Sequence, residues 1–198
     1  VRRCPGHVEL KAAGCAPERY DHVFFACHSD QALRILRDAM PLEREVLGAI
    51  EYQKNEAVLH TDAALMPRAR RAWAAWNYHI LEPGQDRAAL TYNMNILQGL
   101  DAPVPFLVTL NNSDAIDPAQ IIHRQQFSHP VFTAGALAAQ EKQRNINGLG
   151  VHGAGRSWFC GAYWRYGFHE DGVVSAMQAL EHFHERIGHE QRDIRRAS

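Results

Sequence analysis

The chain has 198 residues, 46% of them hydrophobic and 22% charged, which suffices for one substantial core or two small ones and excludes a disordered segment. Its formal net charge is -1, and its basic groups are scattered as Arg2-Arg3, Arg68 to Arg71 and Arg192 to Arg196. That is no stripe of the kind nucleic-acid binding needs, so no nucleic-acid partner is expected. No apolar run approaches the ~20 residues of a membrane-spanning helix, which leaves peripheral contact as the compatible kind of membrane association. Cys4, Cys15, Cys27 and Cys160 form no CxxC pair and read as free thiols of a cytoplasmic protein. The chain opens on Val-Arg-Arg-Cys, with no initiator Met and mid-domain in character, so it is expected to be a fragment of a longer protein.

From the N-terminus, His7 to Lys11 alternates polar and apolar residues as a strand does, and Val23 to Cys27 is an apolar run suited to a strand buried on both faces. Ser29 or Asp30 can cap a helix with the stripe Leu33, Leu36 and Met40, ended by Pro41. Leu42, Val46 and Ile50 share one helix face, after which the pattern changes to strands. Leu90, Tyr92 and Met94 alternate with Thr91, Asn93 and Asn95, and Pro105 to Leu110 is an apolar strand stopped by Asn111-Asn112. Asp117-Pro118 signals a helix start, and Thr133 to Arg144 is alanine-rich and helical in character.

Arg156 to Val174 then reads as a short buried strand, a glycine-broken aromatic loop and a new helix, a layout that suits close approach to a planar, partly anionic ligand. Asp171 is placed to cap that helix. Val173, Met177, Leu180, His184 and Ile187 recur as a buried stripe, Gly188 is placed to end it, and the charged residues 191–198 form a frayed tail.

Three motifs compete for chemistry. Gly148-Leu149-Gly150-Val151-His152-Gly153 satisfies G-x-G-x-x-G, but polar residues precede it and a strand follows, so it reads as a loop and not a phosphate-binding turn. His184 and His189 are five apart, about 140° around a helix, where a zincin pair needs four; no metal site is expected there. Ser157, Ser175 and Cys160 lack the setting of an activated nucleophile, and no residue is assigned a catalytic role. Trp73, Trp76, Tyr78 and Tyr92 suit either an apolar substrate pocket or a core.

The ungapped run Gly167-Phe168-His169-Glu170-Asp171-Gly172-Val173, with Tyr20 to Leu33, Leu59-His60-Thr61-Asp62, Trp76-Asn77-Tyr78 and Leu90 to Asn95 in order, resembles the FAD-dependent amine oxidoreductase superfamily. Within it the chain is most similar to a bacterial group of predicted NAD/FAD-binding proteins. The resemblance implies an α/β (α+β) fold: part of a Rossmann-like FAD-binding domain at residues 1–41 and 148–190, and a mixed-sheet substrate domain at 42–147. It implies FAD as cofactor, near Cys27 and His28 after the first buried strand and near Gly161, Ala162, Tyr163, Phe168, Glu170, Asp171, Gly172 and Val173 at the flavin ring. Amides around Asp171, Gly172 and Val173 would approach the N1–C2 edge, where a helix start favours the charge of the reduced ring.

The superfamily's glycine fingerprint has no counterpart in the chain, so FAD binding by this chain alone is expected to be weak or absent. Amine oxidases of the superfamily usually keep a lysine near flavin N5, and Ala57 takes its place here, with Lys54 three residues away on the opposite strand face. That weakens amine oxidation and leaves hydride abstraction from a carbon skeleton. Related bacterial genes accompany fatty-acyl-modifying enzymes, so a small apolar, fatty-acyl-like substrate is expected, with Trp76, Tyr78 and Tyr92 lining its pocket. The alternative class is a cofactor-free α/β module that binds an apolar ligand or partner.

Overall fold

The computed structural model describes residues 1–81, 87–149 and 155–197, with side chains described through residue 188. Two compact units result: Val1–Tyr52 with Pro130–Ser198, and Gln53–His129. The sequence boundaries expected at 41/42 and 147/148 differ from these for a physical reason. Helix periodicity shows that a face is buried but not which sheet buries it. Val46, Leu47 and Ile50, with Ala136, Ala139 and Ile146, join the core around Phe25 and Phe159, so the helices carrying them belong to the first unit.

The first unit begins with an antiparallel sheet of β1 (Arg2–Cys4), β2 (His7–Leu10) and β3 (Glu18–Tyr20), with Gly6 at φ 82 in the turn between the first two. β4 (Val23–Phe25) is followed by α1 (Ser29–Ile35) and α2 (Pro41–Gly48); α1 stops at Ile35, where Leu36 turns extended, so the expected stripe to Met40 and stop at Pro41 are corrected, and Pro41 opens the second helix. After the second unit come α4 (Ala134–Gln140), capped by Thr133, then α5 (Gln143–Ile146), β10 (Ser157–Phe159) and α6 (His169–Ala197). β10 pairs in parallel with β4 in the register Ser157↔Val23 and Phe159↔Phe25, and the two phenylalanine rings stack 5.1 Å apart. β4 is buried on one face only, for Phe24 is exposed.

Two expectations for the last helix are corrected. Among the residues with described side chains its buried positions are Asp171, Ser175 and Ala179, while Val173, Met177 and Leu180 of the expected stripe are 54%, 66% and 45% exposed. The small and polar face turns inward because the loop after β10 needs hydrogen-bond partners at close range. The helix also runs through Gly188 to Ala197, since that glycine lacks the positive φ of a helix stop.

The second unit is built on a five-stranded sheet ordered β6-β7-β8-β5-β9: Trp76–His79, Ala89–Asn93, Leu107–Leu110, Glu51–His60 and Ile121–Val131. β7 stops at Asn93, short of the expected Asn95. The Asn93 side chain accepts from the Ile96 N–H at 3.2 Å and starts α3 (Met94–Gln98), which Gly99 ends at φ 64. Asp117-Pro118 opens only a single 3-10 turn, Pro118–Gln120.

Arg3 ties the first sheet to α2. Its guanidinium meets Glu43 through two bonds of 2.7 and 2.8 Å and Asp38 at 3.2 Å, with Arg3 and Glu43 side chains only 4% and 0% exposed. Burial by itself would lower the Arg3 pKa, but Glu43 and then Asp38 outweigh it and raise it. Glu43 also accepts the Met40 N–H at 2.7 Å. Glu43→Gln should therefore destabilise the protein by about 2–3 kcal/mol, because it leaves Asp38 alone to compensate a buried guanidinium. In urea unfolding, Arg3→Met/Glu43→Leu should recover more than half of that loss; equal losses in single and double variants would count against the pair.

Candidate functional site

The parallel register of β4 and β10 sets their C-terminal ends side by side. The Cys160 N–H donates to the Phe25 carbonyl at 3.0 Å, so Cys27 and His28 after one strand neighbour Cys160 and Gly161 after the other. His28, and not the expected Ser29 or Asp30, is the N-cap of α1; its N–H donates to Gln31 Oε1 at 3.2 Å. The His28 ring stacks on Tyr52 with centroids 4.5 Å apart, and the Tyr52 hydroxyl accepts from the Ser29 N–H at 2.9 Å.

Gly161 sits at φ 147, and a Cβ there would meet the Tyr163 ring at 2.6 Å. Tyr163 is buried beside Trp164, and neither the hydroxyl nor the indole N–H has a well-formed partner; the buried Ser29 hydroxyl is likewise unpaired. Burial, reinforced by Tyr52, Cys160 and Cys27, pushes the Tyr163 pKa well up. Burial also raises the thiols of Cys27 and Cys160, which are therefore neutral at ordinary pH.

The rest of the expected flavin-side set divides. Asp171 lies in the first turn of α6, and its Oδ2 accepts from the N–H groups of Tyr166 and Phe168 at 3.1 and 3.0 Å. It folds the aromatic loop back onto the helix from inside the helix, instead of preceding it. The Gly172 N–H donates to the Phe168 carbonyl at 3.2 Å, and a Cβ at Gly172 would lie 3.9 Å from Ala162. Gly172 and Ala162 thus face each other, and that amide is committed within the helix. Phe168, Glu170 and Val173 are exposed.

A buried polar belt of residues that no sequence motif joins fixes this loop. Asn147 Oδ1 accepts the Phe159 N–H at 2.7 Å, while Gln143 Nε2 donates to the carbonyls of Phe159 and Ser175 at 3.1 and 3.3 Å. The Gly161 N–H donates to Ser175 Oγ at 2.8 Å, and that hydroxyl donates to the Gly172 carbonyl at 2.9 Å. Polar residues on the apolar face of the helical stretch up to Asn147 were the available signal. His182 pairs with Asn147 at 3.2 Å, and the His189 side chain and residues 150–153 of the glycine motif lie outside what the structure describes.

In the second unit the strand register divides the sheet into two unlike faces. Val58, His60, Leu107, Thr109, Ala89, Thr91 and Asn93 form one, fully buried. The polar members make a continuous chain: His60 Nε2 to Thr109 Oγ1, Thr109 Oγ1 to Thr91 Oγ1, and Thr91 Oγ1 to His79 Nε2, each 2.7 Å. His60 Nδ1 accepts the Asp62 N–H at 3.1 Å, which puts the ring proton on Nε2 and orients every hydroxyl toward His79.

The other face carries Leu59, Val108, Tyr92 and Trp76 in one row and Ala57, Leu110, Leu90 and Tyr78 in the next. The alternation in β7 was legible, but its buried partners are the polar ones. Trp76 and Tyr78 are 51% and 66% exposed, and Trp76 meets Tyr92 edge to face at 5.3 Å. Trp73 lies apart from them, lining a cavity of about 210 Å³ with Arg70, Asn93 and Ile96. A larger cavity of about 570 Å³ is lined by Glu56, Arg87, Asn111 and other polar groups, and none of the expected site residues borders it.

No protein-family model and no curated protein matches this chain. Among solved structures it is similar to a CLA-producing fatty acid isomerase from P. acnes, at TM-score 0.59 and 14% identity over 92% of this chain and 46% of that one. It is also similar to cyclohexylamine oxidase from Brevibacterium oxydans IH-35A, at TM-score 0.54 and 13% identity over 93% and 47%. The chain spans about half the length of these structures. The fold is the expected α/β class, shared with an amine oxidase and a fatty acid isomerase.

Two expected outcomes follow from the hydrogen bonding. Ser175→Ala strips the Gly161 N–H and the Gly172 carbonyl of their side-chain partner and should cost about 1–3 kcal/mol in urea unfolding, with faster exchange of the Gly161 amide; an unchanged midpoint would contradict the belt. Burial holds the His60 pKa below its ordinary 6.5, against the opposing charge of Asp62. The unfolded chain therefore takes up a proton first, so His60's contribution to stability is complete above pH 6.5 and falls as the pH drops through 6.5 toward the lower folded value. His60→Gln should flatten that acid-side loss, read as the wild-type minus variant difference in midpoint between about pH 7 and pH 5.

Proposed function

We propose that this chain supplies the flavin-ring wall and substrate surface of an FAD-dependent oxidoreductase that removes hydride from an apolar, fatty-acyl-like substrate. The observation that carries this reading is the cradle at the C-terminal ends of β4 and β10. Ligands of open α/β sheets bind outside the carboxyl ends of parallel strands. Here the flat His28–Tyr52 stack and the buried Ser29 hydroxyl, which has no well-formed hydrogen-bond partner, lie just beyond the end of β4, and Tyr163 lies just beyond the end of β10.

The residues fit the group: Cys27, His28, Gly161, Ala162 and Tyr163 would hold FAD, with Asp171 and Gly172 fixing the loop and Phe168, Glu170 and Val173 on its exposed side. FAD when bound supplies a hydride acceptor. The chain's own part is to bind, orient and exclude water. Neutral Cys27 and Cys160 thiols keep the cradle uncharged, and the Trp76, Tyr78 and Tyr92 face, with Leu90 and Leu110, offers an apolar surface for a substrate chain.

Ala57 lies on that same face, and the family resemblance aligns it with the lysine of the amine oxidases, which supports a face without an ammonium group to manage an amine substrate. Similarity to a fatty acid isomerase supports an acyl chain there. The test uses the intact parent protein. It should purify yellow, its flavin should bleach anaerobically with unsaturated fatty acids, and a panel of primary amines should release no peroxide. Tyr92→Ala should raise the KM for the fatty acid by about tenfold, the equivalent of ~1.4 kcal/mol of apolar contact. A colourless parent that still binds fatty acids would identify a cofactor-free binding module, and rapid amine turnover would refute the role given to Ala57.

A further inference from the structure

We propose that the first hairpin holds a Zn²⁺-class ion through Cys4, His7 and Glu9. The chain presents these as C-x-x-H-x-E, and the β1–β2 register places them on one sheet face: Cys4 opposite His7 across the Pro5-Gly6 turn, and Glu9 two residues beyond His7. Their ligand atoms lie within 4.8 Å of one another, and each residue is half-buried. A tetrahedral Zn²⁺ with Zn–S of ~2.3 Å and Zn–N or Zn–O of ~2.0–2.1 Å needs ligand separations of about 3.3–3.8 Å. Small side-chain rotations supply the difference.

Two further features favour metal binding. The His7 Nδ1 lies 3.3 Å from the Pro5 carbonyl, a contact that places the ring proton on Nδ1 and leaves the Nε2 lone pair for the ion, the usual arrangement behind a ligating imidazole. Gly6, at φ 82, allows the tight turn that brings Cys4 and His7 together. Charge neutrality requires Cys4 as thiolate. Arg2 reaches Glu9 only at 3.7 Å and is 58% exposed, and Arg19 is Glu9's partner on β3, so the surroundings repel a cation unless Cys4 ionises. On binding, the Cys4 thiol loses its proton to solvent, and thiolate plus carboxylate neutralise the ion, with a fourth position left for water. The soft sulfur and the imidazole select Zn²⁺ over Mg²⁺ or Ca²⁺.

The test is calorimetric titration of this chain with Zn²⁺, paired with Co²⁺ absorption. One saturable site is expected, with proton release and a cobalt–thiolate charge-transfer band. Cys4→Ser, His7→Asn and Glu9→Gln should each weaken binding at least tenfold, and Cys4→Ser should abolish the band. Cys15→Ser, at an exposed thiol outside the cluster, should change neither. Glu9→Gln keeps the shape of a hairpin side chain, and unchanged circular dichroism in each variant separates lost ligands from lost fold. No saturable site in the wild type, or binding that persists in Cys4→Ser/His7→Asn, would overturn the proposal.

Discussion

The parallel pairing of β4 with β10 is the constraint on which the first unit depends. The two strands are three residues each and about 130 residues apart in sequence, so their own ladder gives little against the entropy of closing so long a loop. What holds them is burial and satisfied backbone. Ser157, Trp158 and Phe159 are all buried, Phe159 stacks on Phe25, and Asn147 and Gln143 take up the Phe159 N–H and carbonyl. A polar side chain is costly in such a place unless every bond is made, and here each amide group is spent on a strand that ends at the site.

That requirement explains the orientation of α6. A helix turning Val173, Met177 and Leu180 inward would bury more apolar area, at ~25 cal/mol per Å², but would take the Ser175 hydroxyl away from the Gly161 N–H and leave that donor facing methyl groups. Ser175 and Ala179 inward let the helix come close to the loop, and Gly172 against Ala162 extends the same close contact to its first turn. The second unit obeys the same rule through a different device. Thr91, Thr109 and His60 are buried in a sheet face because they satisfy one another, in a chain whose direction is fixed at the Asp62 amide.

The strands and helices themselves were largely legible. Continuous apolar runs located β4 and β8, and the alanine-rich stretch from Thr133 located α4, because those signals are local, whereas the helix start signalled by Asp117-Pro118 gave only a single 3-10 turn. Three things were not local. Val46 and Ile50 show a buried face but not the partner sheet; Leu90 and Tyr92 show period two but not which half of the period faces the core; and the α6 stripe shows period 3.6 but not that polar backbone elsewhere would claim the opposite face. In the candidate site, Cys27, His28, Gly161 and Tyr163 were named through the family resemblance, and the parallel pairing of β4 with β10 brings the segments that follow the two strands together. Ser29, Tyr52, Gln143 and Asn147 carried no spacing that joins them.

The two glycines of the loop show why a motif and a geometry are different kinds of statement. Gly161 and Gly172 both look like places where a backbone must come close to something. At Gly161 the something is internal and severe: a positive φ and a Tyr163 ring 2.6 Å from any Cβ, so every other residue is strained whatever lies outside the chain. At Gly172 the nearest atoms would be 3.9 Å away, an ordinary contact, and the amide is already bonded within the helix. Replacing Gly161 therefore tests the fold of the cradle, whereas a small residue at Gly172 tests only the packing of α6 on Ala162. A loss of ligand binding on changing Gly161 follows from the collapse of the Tyr163 position alone. A loss on changing Gly172 to alanine, where the fold permits the side chain, would have to come from a ligand that occupies the space beside it.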